Sequence, residues 1–179
     1  MLDAAGVEYE TEPAAVDETG FKTRMRKPAE LALDLALAKA ECVSGRRPQD
    51  WVIGSDSVVN VDGQVFSKPA DLRQAADHLR AFSGRTMDLT SAVALARAGK
   101  ADWTHVESAS LHVRPLSEEF IRTYLDAEWP AVGYTVGVFR LEARGVQLFD
   151  QIDGDHFTIL GMPLISLLGA LRERGLLLA

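Results

Sequence analysis

An aspartate interrupts an oily strand. Trp51-Val52-Ile53-Gly54-Ser55-Asp56-Ser57-Val58-Val59 is rich in β-branched residues, reads as a buried strand, and is ended by the turn dipeptide Asp62-Gly63. Burying a carboxylate is costly unless a cation or a metal compensates it. The return strand ends at Ser67-Lys68-Pro69, where Pro69 stops the pairing and leaves Lys68 on the arm opposite Asp56. A strand-borne carboxylate facing a lysine suits metal-assisted phosphate chemistry. The carboxylate holds a divalent cation or takes a proton from water, and the lysine neutralises phosphate oxygens. A buried ion pair that merely holds the hairpin together would use the same residues.

The elements around this hairpin follow from periodicity and punctuation. Residues 1–6 read as the tail of a helix ending at Gly6, and residues 7–10 alternate like a short strand. A polar loop follows, with Asp17-Glu18 and a basic run at 22–27. Pro28 opens a helix over 29–43 with Leu31, Leu35, Ala38 and Cys42 on its apolar face. Asp71 caps a second helix with Leu72, Ala75, Leu79 and Phe82 on one side, stopped by Ser83-Gly84. A long hairpin spans 87–113 with its turn at Gly99-Lys100. Ser117 caps a third helix, and Glu118 and Glu119 suit its positive end. Another hairpin is expected over 137–152, turning at Ala143-Arg144-Gly145. The last helix has Pro163 in its first turn, Gly175 past its end, and Leu164, Leu167, Leu168 and Leu171 as its stripe. Helices alternating with antiparallel hairpins predict a mixed α/β (α+β) fold: one long, twisted, mostly antiparallel sheet flanked by helices.

Composition narrows the partners. With 179 residues and 47% hydrophobic content, the chain can bury one sizeable core or two lobes sharing a sheet. A net charge of -7 without long like-charge blocks argues against nucleic acid or an anionic membrane as partner. An anionic ligand must then be met by local basic residues or a metal. Cys42 is the single cysteine, which excludes an internal disulfide, a thiolate zinc site and a CxxC redox pair, and it reads as a core thiol. Without an apolar stretch long enough to span a bilayer, or a signal-peptide pattern, the chain is expected to be cytoplasmic.

Five segments stand in a fixed order: Asp17-Glu18, Leu37-Ala38-Lys39-Ala40, Gly54-Ser55-Asp56-Ser57-Val58-Val59, Ser67-Lys68-Pro69 and Gly154-Asp155-His156-Phe157-Thr158-Ile159-Leu160-Gly161-Met162-Pro163-Leu164. The series resembles the Maf family of nucleoside triphosphate pyrophosphatases over essentially the whole chain, and Leu79-x-x-Phe82-Ser83-Gly84-Arg85 resembles that family's helix end. The resemblance implies a Maf/ITPase-like fold with two lobes around a central cleft. It also implies hydrolysis of a nucleoside triphosphate to the monophosphate and pyrophosphate, with a divalent metal such as Mg or Mn. On this resemblance Asp56 is the proton acceptor and a metal ligand, followed by Ser57 where a threonine is usual. Glu18 falls on the acidic residue that assists the metal, and Lys39 and Lys68 on the phosphate-facing lysines. A solvated helix lysine and a loop carboxylate are the plain alternatives for Lys39 and Glu18. His156 reads as a structural turn histidine.

Three departures stand out. The family's first strand and its Ser-x-Ser-x-Arg-Arg-like phosphate loop are absent, so residues 1–179 are expected to form a single Maf-like domain shortened at its N-terminus. Ala131-Val132-Gly133-Tyr134 offers no lysine where many members have Lys-Ala-Gly, and Ser67 replaces a glycine. At the specificity position this chain has Glu142, which resembles the 7-methyl-GTP pyrophosphatase branch, whereas thymidine or uridine enzymes tend to have glutamine. A carboxylate accepts from the N1–H and exocyclic amine of a guanine edge; pairing with Arg140 or Arg144 is the alternative. The resemblance further suggests a homodimer. The rival to an enzyme of nucleotide metabolism is a non-catalytic nucleotide-binding regulator linked to septum formation, or an inactive shortened homologue.

Overall fold

The computed structural model describes residues 1–22 and 27–178. Helices α1 (Thr19–Lys22) and α2 (Pro28–Arg46) precede β1 (Val52–Val61) and β2 (Gln64–Phe66). Then come α3 (Leu72–Phe82), β3 (Thr86–Arg97), β4 (Lys100–Val113), α4 (Glu118–Glu128), β5 (Phe149–Asp153), α5 (His156–Ile159) and α6 (Leu164–Glu173). The strands form one antiparallel sheet in the order β2-β1-β3-β4-β5, as the alternation of hairpins and helices implies. The chain divides into two compact units.

The first unit comprises Met1–Ser57, Thr90–Glu107 and Asp155–Ala179. Its core includes Val93, Leu95, Leu167, Ala170 and Leu171, against which Trp51, Ile53 and Trp103 pack. Pro28 occupies the first turn of α2, where its missing N–H costs nothing. The buried side of α2 is Leu31, Ala32, Leu35, Ala36, Ala40 and Val43, one turn longer than the periodicity suggested. Cys42 is half-buried and its thiol donates to the Ala14 carbonyl at 2.8 Å, so it is not the packed core thiol expected. Residues 7–10 belong to no strand. This stretch is instead tied down by ionic bonds: Arg47 reaches Glu10 at 2.9 Å and Arg46 reaches Glu12 at 2.8 Å. The middle of the basic run at 22–27 lies outside the described residues.

The second unit comprises Val58–Leu89 and Ser108–Gly154. Here β1 and β2 pair with Val59 opposite Phe66 and Val61 opposite Gln64. Asp71 caps α3 by accepting from the Gln74 amide at 2.7 Å, and Ser117 caps α4 by accepting from the Phe120 amide at 3.1 Å. Ala75, Leu79 and Phe82 of α3 are buried as predicted, while Leu72 is exposed. A two-pronged ion pair, Arg80 to Glu118 at 2.8 Å on each side, joins α3 to α4. Back in the first unit, the β3–β4 turn sits at Ala98 and Gly99, both with positive φ (51° and 76°), one residue earlier than read from the sequence. Two successive left-handed residues make the turn whose twist matches a hairpin.

The hairpin expected over 137–152 does not form. Residues 137–148 carry turns and a 3-10 helix at Arg144–Leu148, and β5 pairs with β4 through Leu111–Ile152 instead. Val138 takes φ 56°, a left-handed conformation that ends any strand there. The local polar groups are satisfied from the side: Tyr124 donates to the Val138 carbonyl at 3.0 Å, and Thr135 Oγ1 accepts from the Phe139 amide at 3.1 Å.

Candidate active site

Successive residues of β1 point to opposite faces, and the Gly-Ser-Asp-Ser stretch uses both. On one face lie Ser55 and Ser57. Ser55 Oγ contacts the carbonyl oxygens of Ala92 at 2.8 Å and Gly161 at 2.9 Å. Ser57 Oγ lies 2.8 Å from Ser91 Oγ and 3.3 Å from the Gly161 oxygen, and Ser91 in turn donates to the Thr158 carbonyl at 2.8 Å. Because the Ser91 proton is committed to Thr158, Ser57 is the donor of the Ser57–Ser91 bond. The hydroxyls of β1 thus grip the 155–161 turn, which is itself fixed by Asp155 accepting from the Thr158 amide at 3.0 Å and by Thr158 Oγ1 donating to Glu107 at 3.0 Å.

On the other face lie Gly54 and Asp56, against α2. A Cβ on Gly54 would stand 2.3 Å from the Ala36 carbonyl oxygen and 2.7 Å from the Ala40 nitrogen, so only glycine allows the helix to come this close. One residue before Ala40, Lys39 extends to Asp56. Its Nζ lies 2.5 Å from Asp56 Oδ1 and 3.0 Å from Glu18 Oε1. Glu18 is brought within reach because the preceding loop is bound to α2 by the Arg46, Arg47 and Cys42 contacts. The Asp56 side chain is only 14% exposed, so its attraction to the ammonium is weakly screened. Burial alone would lower the Lys39 pKa, but its bonds to Asp56 and then Glu18 outweigh that, and the pKa is raised. Lys39 is therefore cationic at neutral pH. It also lines a cavity of about 810 Å³ in the first unit, together with Trp51, Gly54, Ser55 and Met162.

Three of the residues singled out in the sequence, Glu18, Lys39 and Asp56, are thus brought together, and Ser57 follows on the opposite face. The lysine that meets Asp56 is Lys39. Lys68 lies in the second unit, exposed, beyond the last β1–β2 pair at Phe66. Glu142, also exposed and in the second unit, lies within a turn instead of ending a strand. Its neighbour Arg140 donates to the buried Glu128 at 2.9 Å, and Glu142 adds only to the field around Arg140. His156 begins α5 with its ring edge against Phe157, in keeping with a structural role. Ser55, Ser91 and the Thr158 relay went unnoticed in the sequence. Their signal was faint: hydroxyls two apart on either side of Asp56, and a polar Thr90-Ser91 pair inside an oily strand.

Two hard carboxylates converging on one cation are a donor set that suits Mg²⁺ or Mn²⁺. Among the described residues no group of three or more His, Cys, Asp or Glu could hold a metal ion. Glu18 and Asp56 would therefore leave the remaining positions to substrate oxygens and water, the usual manner of Mg²⁺ at phosphates.

A fold and a site of this kind define a member of the Maf family. The model of that family, described as Maf-like protein, matches residues 1–174, and the chain belongs to it. The chain is 46% identical to a 7-methyl-GTP pyrophosphatase of Rhizobium etli over 179 residues, covering 98% of this chain and 90% of that protein. It is 47% identical to a nucleoside triphosphate pyrophosphatase of Granulibacter bethesdensis, covering 97% of this chain and 90% of that protein. A 7-methyl-GTP pyrophosphatase of Rhizobium meliloti is 42% identical, again with 98% and 90% covered. No helix among the described residues is long and apolar enough to cross a membrane.

Proposed function

We propose that this chain hydrolyses a nucleoside triphosphate to the monophosphate and pyrophosphate, with Asp56 as the base. The observation that carries this reading is the convergence of Glu18 and Asp56 on the Lys39 ammonium, at 3.0 and 2.5 Å, on a strand of a Maf-family chain. The reaction class, hydrolysis of an acid anhydride, is supported by that membership and by the names of the relatives.

The chemistry follows from the groups. Water attacks phosphorus at the α–β bridge, its proton passes to an Asp56 oxygen, and the bridging P–O bond breaks to release pyrophosphate. Lys39 is a protonated cation carried beside that carboxylate and meets the negative charge of the phosphate chain. Lys68 is assigned a second phosphate contact, and Ser57 a substrate contact at the strand. When bound by Glu18 and Asp56, a divalent cation supplies Lewis-acid stabilisation of the phosphate oxygens. Glu142 is assigned the contact with the nucleobase: its carboxylate accepts from the N1–H and amine of a guanine edge, which favours a modified guanine nucleotide such as 7-methyl-GTP. Cytoplasmic residence and a homodimer belong to the same reading.

The test is product identity. The purified chain is incubated with Mg²⁺ or Mn²⁺ and a panel of nucleoside triphosphates that includes 7-methyl-GTP. Orthophosphate is assayed before and after adding an inorganic pyrophosphatase. Monophosphate, with orthophosphate appearing only after that addition, is expected; diphosphate with direct orthophosphate release contradicts the reading.

A further inference from the structure

We infer that Lys39 is a built-in placeholder cation: without substrate its ammonium holds the Glu18–Asp56 carboxylate pair where a divalent ion takes its place, and it yields only when a triphosphate receives it. The inference rests on the reading of Glu18 and Asp56 as cation ligands.

The geometry leads to this in three steps. First, one ammonium bridges two carboxylates, 2.5 Å from Asp56 and 3.0 Å from Glu18, so it offsets part of the charge of the pair from the point where both converge. A divalent cation held by Glu18 and Asp56 would need the same oxygens, and it could not share them with a like charge. Second, the backbone of Lys39 has little room to retreat. It belongs to a turn of α2 seated against Gly54, where even a Cβ would come 2.9 Å from the Ala40 Cβ. Only the four-carbon stem can swing. Third, an ammonium ejected from two carboxylates needs new anionic partners, and phosphate oxygens supply them. Metal entry and triphosphate binding are therefore coupled, and the coupling is reciprocal. The protein takes up the metal–triphosphate complex and discriminates against free metal ion. A lysine that stayed in place as a permanent bridge would repel the metal whether or not a triphosphate is bound, so the gain in metal affinity brought by a triphosphate would be the same with and without the Lys39 charge.

The experiment titrates Mn²⁺ into the full chain and reads free Mn²⁺ by electron paramagnetic resonance. It uses the parental protein, Lys39→Met and Lys39→Arg, each with and without an α,β-methylene nucleoside triphosphate that resists cleavage, and thermal melts establish that each variant is folded. Without the analogue, Lys39→Met is expected to bind Mn²⁺ about tenfold or more tighter than the parent, and Lys39→Arg to stay parent-like. The analogue is expected to tighten Mn²⁺ binding about tenfold or more in the parent, within the usual span of such couplings, and less in Lys39→Met. Equal or weaker Mn²⁺ binding by Lys39→Met overturns the placeholder role while leaving the cation ligands in place. Should Lys39→Met not fold, a parent whose Mn²⁺ affinity is unmoved by the analogue overturns it equally. If neither protein binds Mn²⁺ even with the analogue, the assignment of Glu18 and Asp56 as ligands fails, and the placeholder with it.

Discussion

Gly54 and Ala40 lie in a contact that admits no side chain: a Cβ on Gly54 would be 2.9 Å from the Cβ of Ala40. This single missing methyl lets α2 settle on β1, and so places Lys39, the residue before Ala40, against Asp56, two residues after Gly54. A helix held further off would draw the Lys39 ammonium away from the Asp56 carboxylate, whose side chain is only 14% exposed.

Gly54→Ala is accordingly expected to lower stability by about 1–3 kcal/mol, the usual cost of overpacking. It should also reduce pyrophosphate release by more than the loss of folded protein explains. Thermal melts and kcat/KM of the same preparation check this. A variant with parental melting temperature and turnover would show that the close approach does not matter.

The hydroxyl chain from Ser57 through Ser91 to the Thr158 carbonyl ties β1 to the 155–161 turn. Ser91 is fully buried, so Ser91→Ala leaves the Thr158 oxygen without this donor, at a cost of about 1–3 kcal/mol. Ser57→Ala should also lower the melting temperature, by a smaller step. If Ser57→Ala instead raises KM with the melting temperature unchanged, its hydroxyl serves substrate alone and the relay carries no weight.

Much of this was legible in the sequence where the signal is local. Asp71 and Ser117 cap helices because a short acceptor precedes a periodic apolar run, and the capping bonds to Gln74 and Phe120 follow. Asp56 stood out because a carboxylate in an oily strand demands a partner. Which partner was not legible from the hairpin: Lys68 is nearer in sequence, but Lys39 arrives from a helix packed on the strand's other face, a long-range arrangement that only the order of family-like segments hinted at. The hairpin predicted over 137–152 failed for a physical reason that alternation does not reveal. Val138 adopts φ 56°, and a Cβ on Gly145 would stand 2.4 Å from the Arg140 carbonyl, so the chain folds back on itself before it can pair.

Glu142→Gln should shift preference among nucleoside triphosphates from 7-methyl-GTP toward UTP or dTTP. The shift expected is about 1–3 kcal/mol in relative kcat/KM, by analogy with other base-edge contacts. The metal requirement should be unchanged. A substrate ranking identical to the parent's would reduce Glu142 to a surface charge near Arg140.

His78 provides a pH signature in the second unit. It packs edge-on against Phe66 at 5.1 Å, its Nδ1 has no hydrogen-bond partner among the described residues, and burial lowers its pKa despite the opposing charge of Asp77. The folded state therefore favours the neutral ring, while the unfolded chain takes up its proton near the ordinary pKa of about 6.5. Below that pH the unfolded state binds more protons, so stability falls as the pH drops. Chemical denaturation between pH 7.5 and 5 should show this slope, flatter in His78→Leu. An equal slope in both would assign it to other groups.

The most direct measurement of the central claim is pyrophosphate release by Asp56→Asn. An amide of the same shape cannot take the proton from water and offers a cation no charge. A folded variant is expected to lose activity by on the order of 10²-fold or more at saturating metal and substrate. Pyrophosphate released by folded Asp56→Asn at near the parental rate would contradict the account, because no other group has been assigned the proton.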